Sequence, residues 1–330
     1  MATVGIIANP VSGKDIRRLV AHGSVFDNQE KVRIVRRLLI GLEAVGVEQV
    51  LFMPDEYAIV PRAVRGCAIA REPQPLSMAI HNNQTDSTRA GRLLAETGVD
   101  AVIVLGGDGT CRAVAKGSVE VPMLPVSTGT NNVFPYMIEA TVGGIAAGLI
   151  ATGRVPREAG VYRSSLLEVV SDRAVVDIAL VDVAVYNDRF VAARAIWDMA
   201  KVSQIFLTRA RPDAIGLSAV GGQLMTIGPQ EQRGLHLALG RNGARRVIAP
   251  IAPGLLQTVS VEGQEIMAVG RELPVEISPC VLALDGEREV TVKKDQAVCV
   301  RLSDHGPLVI DLKQTMAHAQ QRGLMVAGGH

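Results

Sequence analysis

"AVIVLGGDGTCRAV", residues 101–114, decides the fold. Val102 to Leu105 form a continuous apolar run, which reads as a buried strand, and Cys111, Val114 and Ala115 fit the inner face of a helix that follows. Between them, Gly106-Gly107-Asp108-Gly109-Thr110 gives up backbone order, at roughly 0.5–1 kcal/mol per glycine against alanine in regular structure. Bare backbone between a strand and a helix suits an anion, because N–H groups can approach phosphate oxygens and the helix start presents its positive end. A carboxylate there would repel phosphate, so Asp108 is expected to hold Mg²⁺ or to take the proton of an attacking hydroxyl. The plainer reading is a tight turn with Asp108 and Thr110 as helix caps, and the strand context with Gly106 favours the phosphate reading over it.

Outward from this point, the first half alternates strand-like and helix-like segments. Strands are expected at Val4–Ala8, Gln49–Met53, Leu76–His81, Ala101–Leu105 and Val121–Val126. Val32, Val35, Leu38, Leu39, Leu42 and Val45 share one helical stripe, and "TDSTRAGRLLAETGVD" (85–100) reads as a helix capped by Thr85 or Asp86 and stopped at Gly98. This alternation predicts an α/β fold with a doubly wound parallel sheet over residues 1–155, whose ligands sit beyond the carboxyl ends of the strands. From 156 to 330, short segments such as "SSLLEVVSD", "LHLALGR" and "PVEISPCVLALDGEREVTVKK" predict an all-β second domain, with a helical interruption near "WDMAKVSQIFLTRA" (197–210). "DLKQTMAHAQQRGLM" (311–325) turns helical again and is placed, within 311–330, to fold back onto the first domain.

Two further loops close strands at the same rim. "ANPVSGKD" (8–15) resembles half a Walker loop, lacking its first glycine and its Ser or Thr for magnesium, and offers Asn9, Ser12 and Gly13; an ordinary Asn-Pro turn is the competing reading. "STGTNNVFP" (127–135) supplies Ser127, Thr128, Thr130, Asn131 and Asn132, neutral donors and acceptors suited to ribose hydroxyls and phosphate oxygens, although Thr130 or Asn131 would equally serve as an N-cap. In "LALDGEREVTV" (282–292), Asp285-Gly286 reads first as a hairpin turn, one able to aim Glu287 into an interdomain cleft. Among the six histidines only His81, at an expected strand end, lies near that cleft.

Composition narrows the partners. Hydrophobic residues are 48% of the chain, charged residues 20%, aromatics 3% and net charge is +1, which argues against nucleic acid or an acidic membrane surface. The four cysteines show no CxxC pair, so reduced thiols in a cytosolic protein are expected. "MATVGIIANP" lacks the basic start of a signal peptide, and "ATVGGIAAGLIATG" (140–153) is too short and glycine-rich to span a bilayer, reading instead as a buried helix with close neighbours. A cytoplasmic protein without a membrane anchor is the expectation.

With NPxSG, GGDGT and GTNN in this order, the chain resembles the superfamily that joins NAD kinases to diacylglycerol and sphingosine kinases. Within it, "ANPVSGKD…TDSTRAG…GGDGT…GTNNVFP" is most similar to the ATP-NAD kinase-like family of acetoin-catabolism protein X. The resemblance implies an α/β domain, a β-sandwich-like domain and an active site between them. It implies that Gly106, Gly107, Gly109 and Thr110 meet nucleotide phosphates and that Asp108 serves the acceptor hydroxyl. Asn9, Ser12 and Gly13 would flank the nucleotide, with Thr128, Gly129, Thr130 and Asn132 close by, and Asp285-Gly286-Glu287 matches the DGE of lipid kinases, making Glu287 a second catalytic candidate. Two departures stand out: Val133 replaces the aspartate of the lipid kinases' GTxND, and the Asn-Glu or Asn-Asp pair with which NAD kinases grip the adenosine ribose has no match here, since Asn131-Asn132 lacks the acid.

The expectation is therefore an ATP- and Mg²⁺-dependent phosphotransferase, NAD kinase-like and associated with acetoin catabolism. It would act on a hydroxyl-bearing small molecule, with NAD as ligand or acceptor, and would form a homo-oligomer. A diacylglycerol-type lipid kinase and a non-enzymatic nucleotide-binding regulator are the alternatives.

Overall fold

The structure, a computed structural model, describes residues 1–13, 27–187 and 199–326. Five parallel strands, β1 (Thr3–Ala8), β2 (Gln49–Phe52), β3 (Gln74–Pro75), β4 (Ala101–Gly106) and β5 (Met123–Ser127), lie in the order β3-β2-β1-β4-β5. Because β1 and β4 are neighbours while the chain winds outward in both directions from them, the crevice at their carboxyl ends is the topological switch point of a doubly wound sheet.

The apolar run that opens the sequence reading explains this architecture. In β4, Ala101, Ile103 and Leu105 enter the core shared with α1 (Asn28–Ala44) and α5 (Ala140–Ala151), whereas Val102 and Val104 enter the opposite core with α3 (Gln84–Thr97) and α4 (Asp108–Gly117). A strand covered by helices on both faces has no polar side, hence its unbroken hydrophobicity. The stripe Val32, Val35, Leu38, Leu39, Leu42 and Val45 packs into the first of these cores.

Strands Leu308–Ile310 and Val161–Arg163 extend this sheet beyond β5. Helix Leu312–Gln321 follows, burying Thr315 and placing Ala319 in the core under α1 and α5. Most of the remaining chain forms a second lobe, a seven-stranded antiparallel sheet packed face to face on a four-stranded one. Leu167, Val169, Val300 and Leu302 of the smaller sheet meet Val183, Val185, Phe206 and Leu282 of the larger. Among the described residues no helix is long and apolar enough to cross a membrane.

Three local expectations are corrected. The third strand is not Leu76–His81 but the two residues Gln74–Pro75. After Leu76 N–H bonds Phe52 O, Met78 N–H turns back onto Leu76 O and the chain leaves the sheet. Helix α3 is capped by Asn83, whose side chain accepts from Thr85 N–H, while the buried Asp86 carboxylate accepts from the amides of His81 and Asn82. The helical interruption near 197–210 is, from Met199 onward, a single 3₁₀ turn followed by strand Val202–Leu207; Trp197 and Asp198 lie outside the described residues. Pairing with Arg233–Leu239 and Asp182–Tyr186, and burial of Ile205, Phe206 and Leu207, override the local helical pattern. The second lobe also carries a short helix, Leu217–Gly222, on its larger sheet.

Helix α5 has the close neighbours its composition predicts. A Cβ on Gly144 would collide with the backbone oxygen of Leu38 in α1, and one on Gly41 with the backbone oxygen of Thr141. Backbone cannot step aside as a side chain can. Gly144→Ala is expected to cost about 2 kcal/mol through forced separation of α1 and α5; an unchanged midpoint in urea unfolding would show that the two helices part freely.

Candidate active site

The loops after β1, β4 and β5 are tied to one another at the switch point. Asn9 Nδ2 donates to Thr110 Oγ1 at 2.9 Å, and Asn9 N–H bonds Leu105 O at 3.1 Å, joining the first loop to β4 and α4. The Ser12 and Thr128 hydroxyls lie 2.9 Å apart, joining the first loop to the third. Thr128 N–H bonds Gly106 O, and Asn132 Nδ2 donates to Ser127 Oγ at 2.8 Å, closing the third loop on itself. Thr128 is fully buried, Thr130 lies exposed at the loop tip, and Asn131 lines a cavity between the lobes.

The glycines of the second loop are explained by the protein itself. A Cβ on Gly106 would strike the Thr110 side chain, one on Gly107 would lie 2.7 Å from Asn132 Oδ1, and one on Gly109 would lie 3.3 Å from Glu287 Oε1. Asn132 packs in the same way against Gly129. The absent side chains let Thr110, the third loop and the second lobe approach the start of α4. That helix has Gly107 as its N-cap, with no side-chain cap.

Asp108, the first residue of α4, is half-buried and receives Val133 N–H at 3.0 Å and Phe134 N–H at 2.7 Å. Its carboxylate thereby fixes the third loop as well as facing the cavity, whose lining includes Asp108, Asn131, Asp182, Gly216 and Asp285. The anchored loop is gripped from the other lobe. The Arg209 guanidinium stacks 4.6 Å over Phe134 and donates to Ser164 Oγ, and Arg211 donates to the Tyr136 hydroxyl at 3.0 Å.

Asp285 and Gly286 have φ of 51° and 80° between paired residues Leu284 and Glu287, the two-residue turn that requires positive φ at both positions. The turn reading is right, and the residues also reach the lobe junction. The buried Asp285 carboxylate accepts from the amides of Leu180, Val181 and Asp182 and pairs at 3.7 Å with Arg112, a buried residue of α4. Burial pushes its carboxyl above the ordinary carboxylate range, against the opposing pull of Arg112 and the three amides. Arg112 also faces Asp177, which Lys116 contacts at 2.6 Å. Glu287 lies over Gly109 and accepts from Gln84 Nε2 at 2.6 Å, bridging the lobes above the start of α4. His81 is exposed, and burial pushes the Cys111 thiol well up, leaving it a neutral packing group.

Three residues that shape this region escape a motif reading: Lys31, Arg112 and Arg209, all buried cations. A signal exists for two of them. Lys31 falls on the apolar stripe with Val35, Leu38 and Leu42, and Arg112 lies beside Cys111 one turn after Asp108, each a charge where the helical period places the core. Asp285→Asn is expected to cost about 3 kcal/mol, because buried Arg112 would lose one of the carboxylates it faces and three amides would lose a charged acceptor. Guanidinium unfolding measures this; a loss below about 1 kcal/mol would show that the pair does not fasten the lobes.

The chain has counterparts among known proteins. Residues 4–155 match the model of the ATP-NAD kinase N-terminal domain, and residues 165–305 match that of the acetoin catabolism protein X C-terminal domain. A candidate diacylglycerol kinase from Bacillus anthracis str. Sterne aligns over 94% of this chain and 97% of its own, at 13% identity and a TM-score of 0.45. The acetoin catabolism protein X of Cupriavidus necator (strain H16) is 40% identical over 98% of this chain and 93% of its own length. With both halves matched in order and one full-length relative at that identity, the chain belongs to the acetoin catabolism protein X family, on a kinase-like fold.

Proposed function

We propose that the chain is an ATP-dependent kinase that phosphorylates the hydroxyl of a small soluble acceptor. The observation that carries this reading is the hydrogen-bonded junction of three loops at the switch point, built around the start of α4, where no side chain caps the helix. A helix start so framed is a natural phosphate site. Asn9, Ser12, Gly13, Gly106, Gly107, Gly109, Thr110, Thr128, Gly129, Thr130 and Asn132 would surround the nucleotide.

Phosphoryl transfer passes through a loose transition state, so positioning contributes more than proton removal. Asp108, held by two amides, is suited to orient the acceptor hydroxyl. Glu287, held by Gln84 above Gly109, is the candidate to receive its proton. Mg²⁺ is less readily placed. Among the described residues no three His, Cys, Asp or Glu side chains converge as ligands, and both Asp108 oxygens already accept amide hydrogens. The described residues alone therefore form no magnesium cage, and such an ion would enter with the nucleotide's phosphates.

A lipid acceptor is the weaker choice: Val133 occupies the position of the lipid kinases' aspartate, and the Asp285 carboxylate is engaged by backbone and Arg112. A nucleotide-binding regulator is the second reading, favoured by the structural use of Asp108 as a loop anchor. We extend to this chain the association with acetoin catabolism in the relative's name, and with it a cytoplasmic setting.

Asp108→Asn should lower phosphoryl transfer by about 10²–10⁴. It should also weaken nucleotide binding several-fold, since an amide offers one acceptor oxygen where the carboxylate offers two to Val133 and Phe134. Turnover within a factor of a few of the parent would remove Asp108 from the mechanism. The acceptor is tested by product detection from ATP with NAD in one reaction and diacylglycerol in mixed micelles in another. NADP formation is the expected result. Phosphatidic acid without NADP would establish the lipid reading, and no product from either despite nucleotide binding would favour the regulator.

A further inference from the structure

We infer that Lys31 is a positioning residue of the nucleotide site, setting the peptide planes of the Asn9–Gly13 loop so that the loop presents an amide to phosphate. This rests on the nucleotide reading above. Lys31 is fully buried in the first turns of α1, and its Nζ donates to Asn9 O at 2.9 Å, Pro10 O at 3.2 Å, Ser12 O at 2.7 Å and Asn28 Oδ1 at 3.1 Å. Three carbonyls of one five-residue loop thus turn toward a single ammonium.

In a planar trans peptide the carbonyl and the next residue's N–H point in opposite directions. Turning the carbonyls of Asn9, Pro10 and Ser12 toward Lys31 therefore turns the following nitrogens away from it. The first belongs to Pro10 and bears no hydrogen. The second, Val11 N–H, is taken by Asn9 Oδ1 at 2.9 Å. The third is Gly13 N–H, at a residue whose φ of 74° is the left-handed conformation glycine permits. That amide leaves the loop on the side away from Lys31. The Ser12 hydroxyl meanwhile bonds Asn9 O and meets Thr128, so the plane that orients Gly13 is pinned from both flanks. A buried lysine is costly to retain, and the oxygens gathered around it include three carbonyls of this one loop. Its work is backbone orientation at a distance from the ligand, which makes it a positioning and not a catalytic residue.

The test compares ATP and adenosine binding by calorimetry for the full chain, Lys31→Met and Asn28→Asp. Lys31→Met should weaken ATP by at least about tenfold, the scale of charge-assisted hydrogen bonds lost from the loop, with adenosine affinity within twofold of the parent. Asn28→Asp keeps the helix start, where an acid is favourable, but draws the ammonium from the carbonyls to a carboxylate; ATP should weaken by about threefold. A folded Lys31→Met that binds ATP like the parent, or loses adenosine in the same proportion, overturns the assignment. If Lys31→Met does not fold, Asn28→Asp decides, and unchanged ATP affinity overturns it. A parent chain that binds no ATP overturns instead the nucleotide reading, and this inference with it.

Discussion

The two amide hydrogens that Asp108 accepts from Val133 and Phe134 are the contact on which the cleft depends. The loop after β5 is bridged back to its strand at Tyr136, and between these points its course is set by what its backbone amides find. One carboxylate at the start of α4 supplies the acceptor. Phe134, fixed in this way, becomes the platform for Arg209, and Arg209 in turn reaches Ser164 ahead of strand Leu166–Ser171. A short chain of contacts, carboxylate to amide to ring to guanidinium to hydroxyl, thus joins the helix of one lobe to the strands of the other. Disturbing its first link would move both the loop after β5 and the side chains of the second lobe that rest on it.

Around this chain the protein spends unusual chemistry on holding loops still. Lys31 and Arg112 are fully buried cations, and each faces backbone or carboxylate groups that themselves border the cleft. Replacing buried ion pairs by apolar residues is often neutral or stabilising, so global stability is a weak reason to keep them. Their value here is geometric. An ammonium can gather several carbonyls and a guanidinium can face two carboxylates, which no leucine can do. The same economy appears in the glycines: Gly107 and Gly109 admit Asn132 and Glu287 to within contact of the backbone, so the loops meet already assembled. A site built in advance loses less ordering entropy when a ligand arrives.

Much of this was legible in the residues. The unbroken run before Gly106, the stripe of α1 and the polar loops at three strand ends led directly to a doubly wound sheet with one functional rim. What escaped was decided by long-range partners. Leu76–His81 has the composition of a strand, yet the Asp86 carboxylate gathers the amides of His81 and Asn82 to build a helix start. Val202–Leu207 belongs to a stretch with helical spacing, yet lies between two strands that need a neighbour. Lys31 and Arg112 could be noticed as charges on apolar stripes, but not their partners, since hydrogen-bond acceptors such as the carbonyls of Asn9 and Ser12 leave no trace in side-chain identity.

Asp285-Gly286 shows why a bland reading and a functional one need not compete. A two-residue turn with positive φ at both positions favours Asp-Gly for local reasons alone. That same turn is rigid, and rigidity is what lets its carboxylate meet three consecutive amides and Arg112 while the next residue, Glu287, projects over Gly109. A looser connection would carry the same residue types without holding either carboxylate in place. The turn geometry is therefore the means by which one hairpin both fastens the lobes and sets Glu287 against Gln84 and Gly109 at the start of α4.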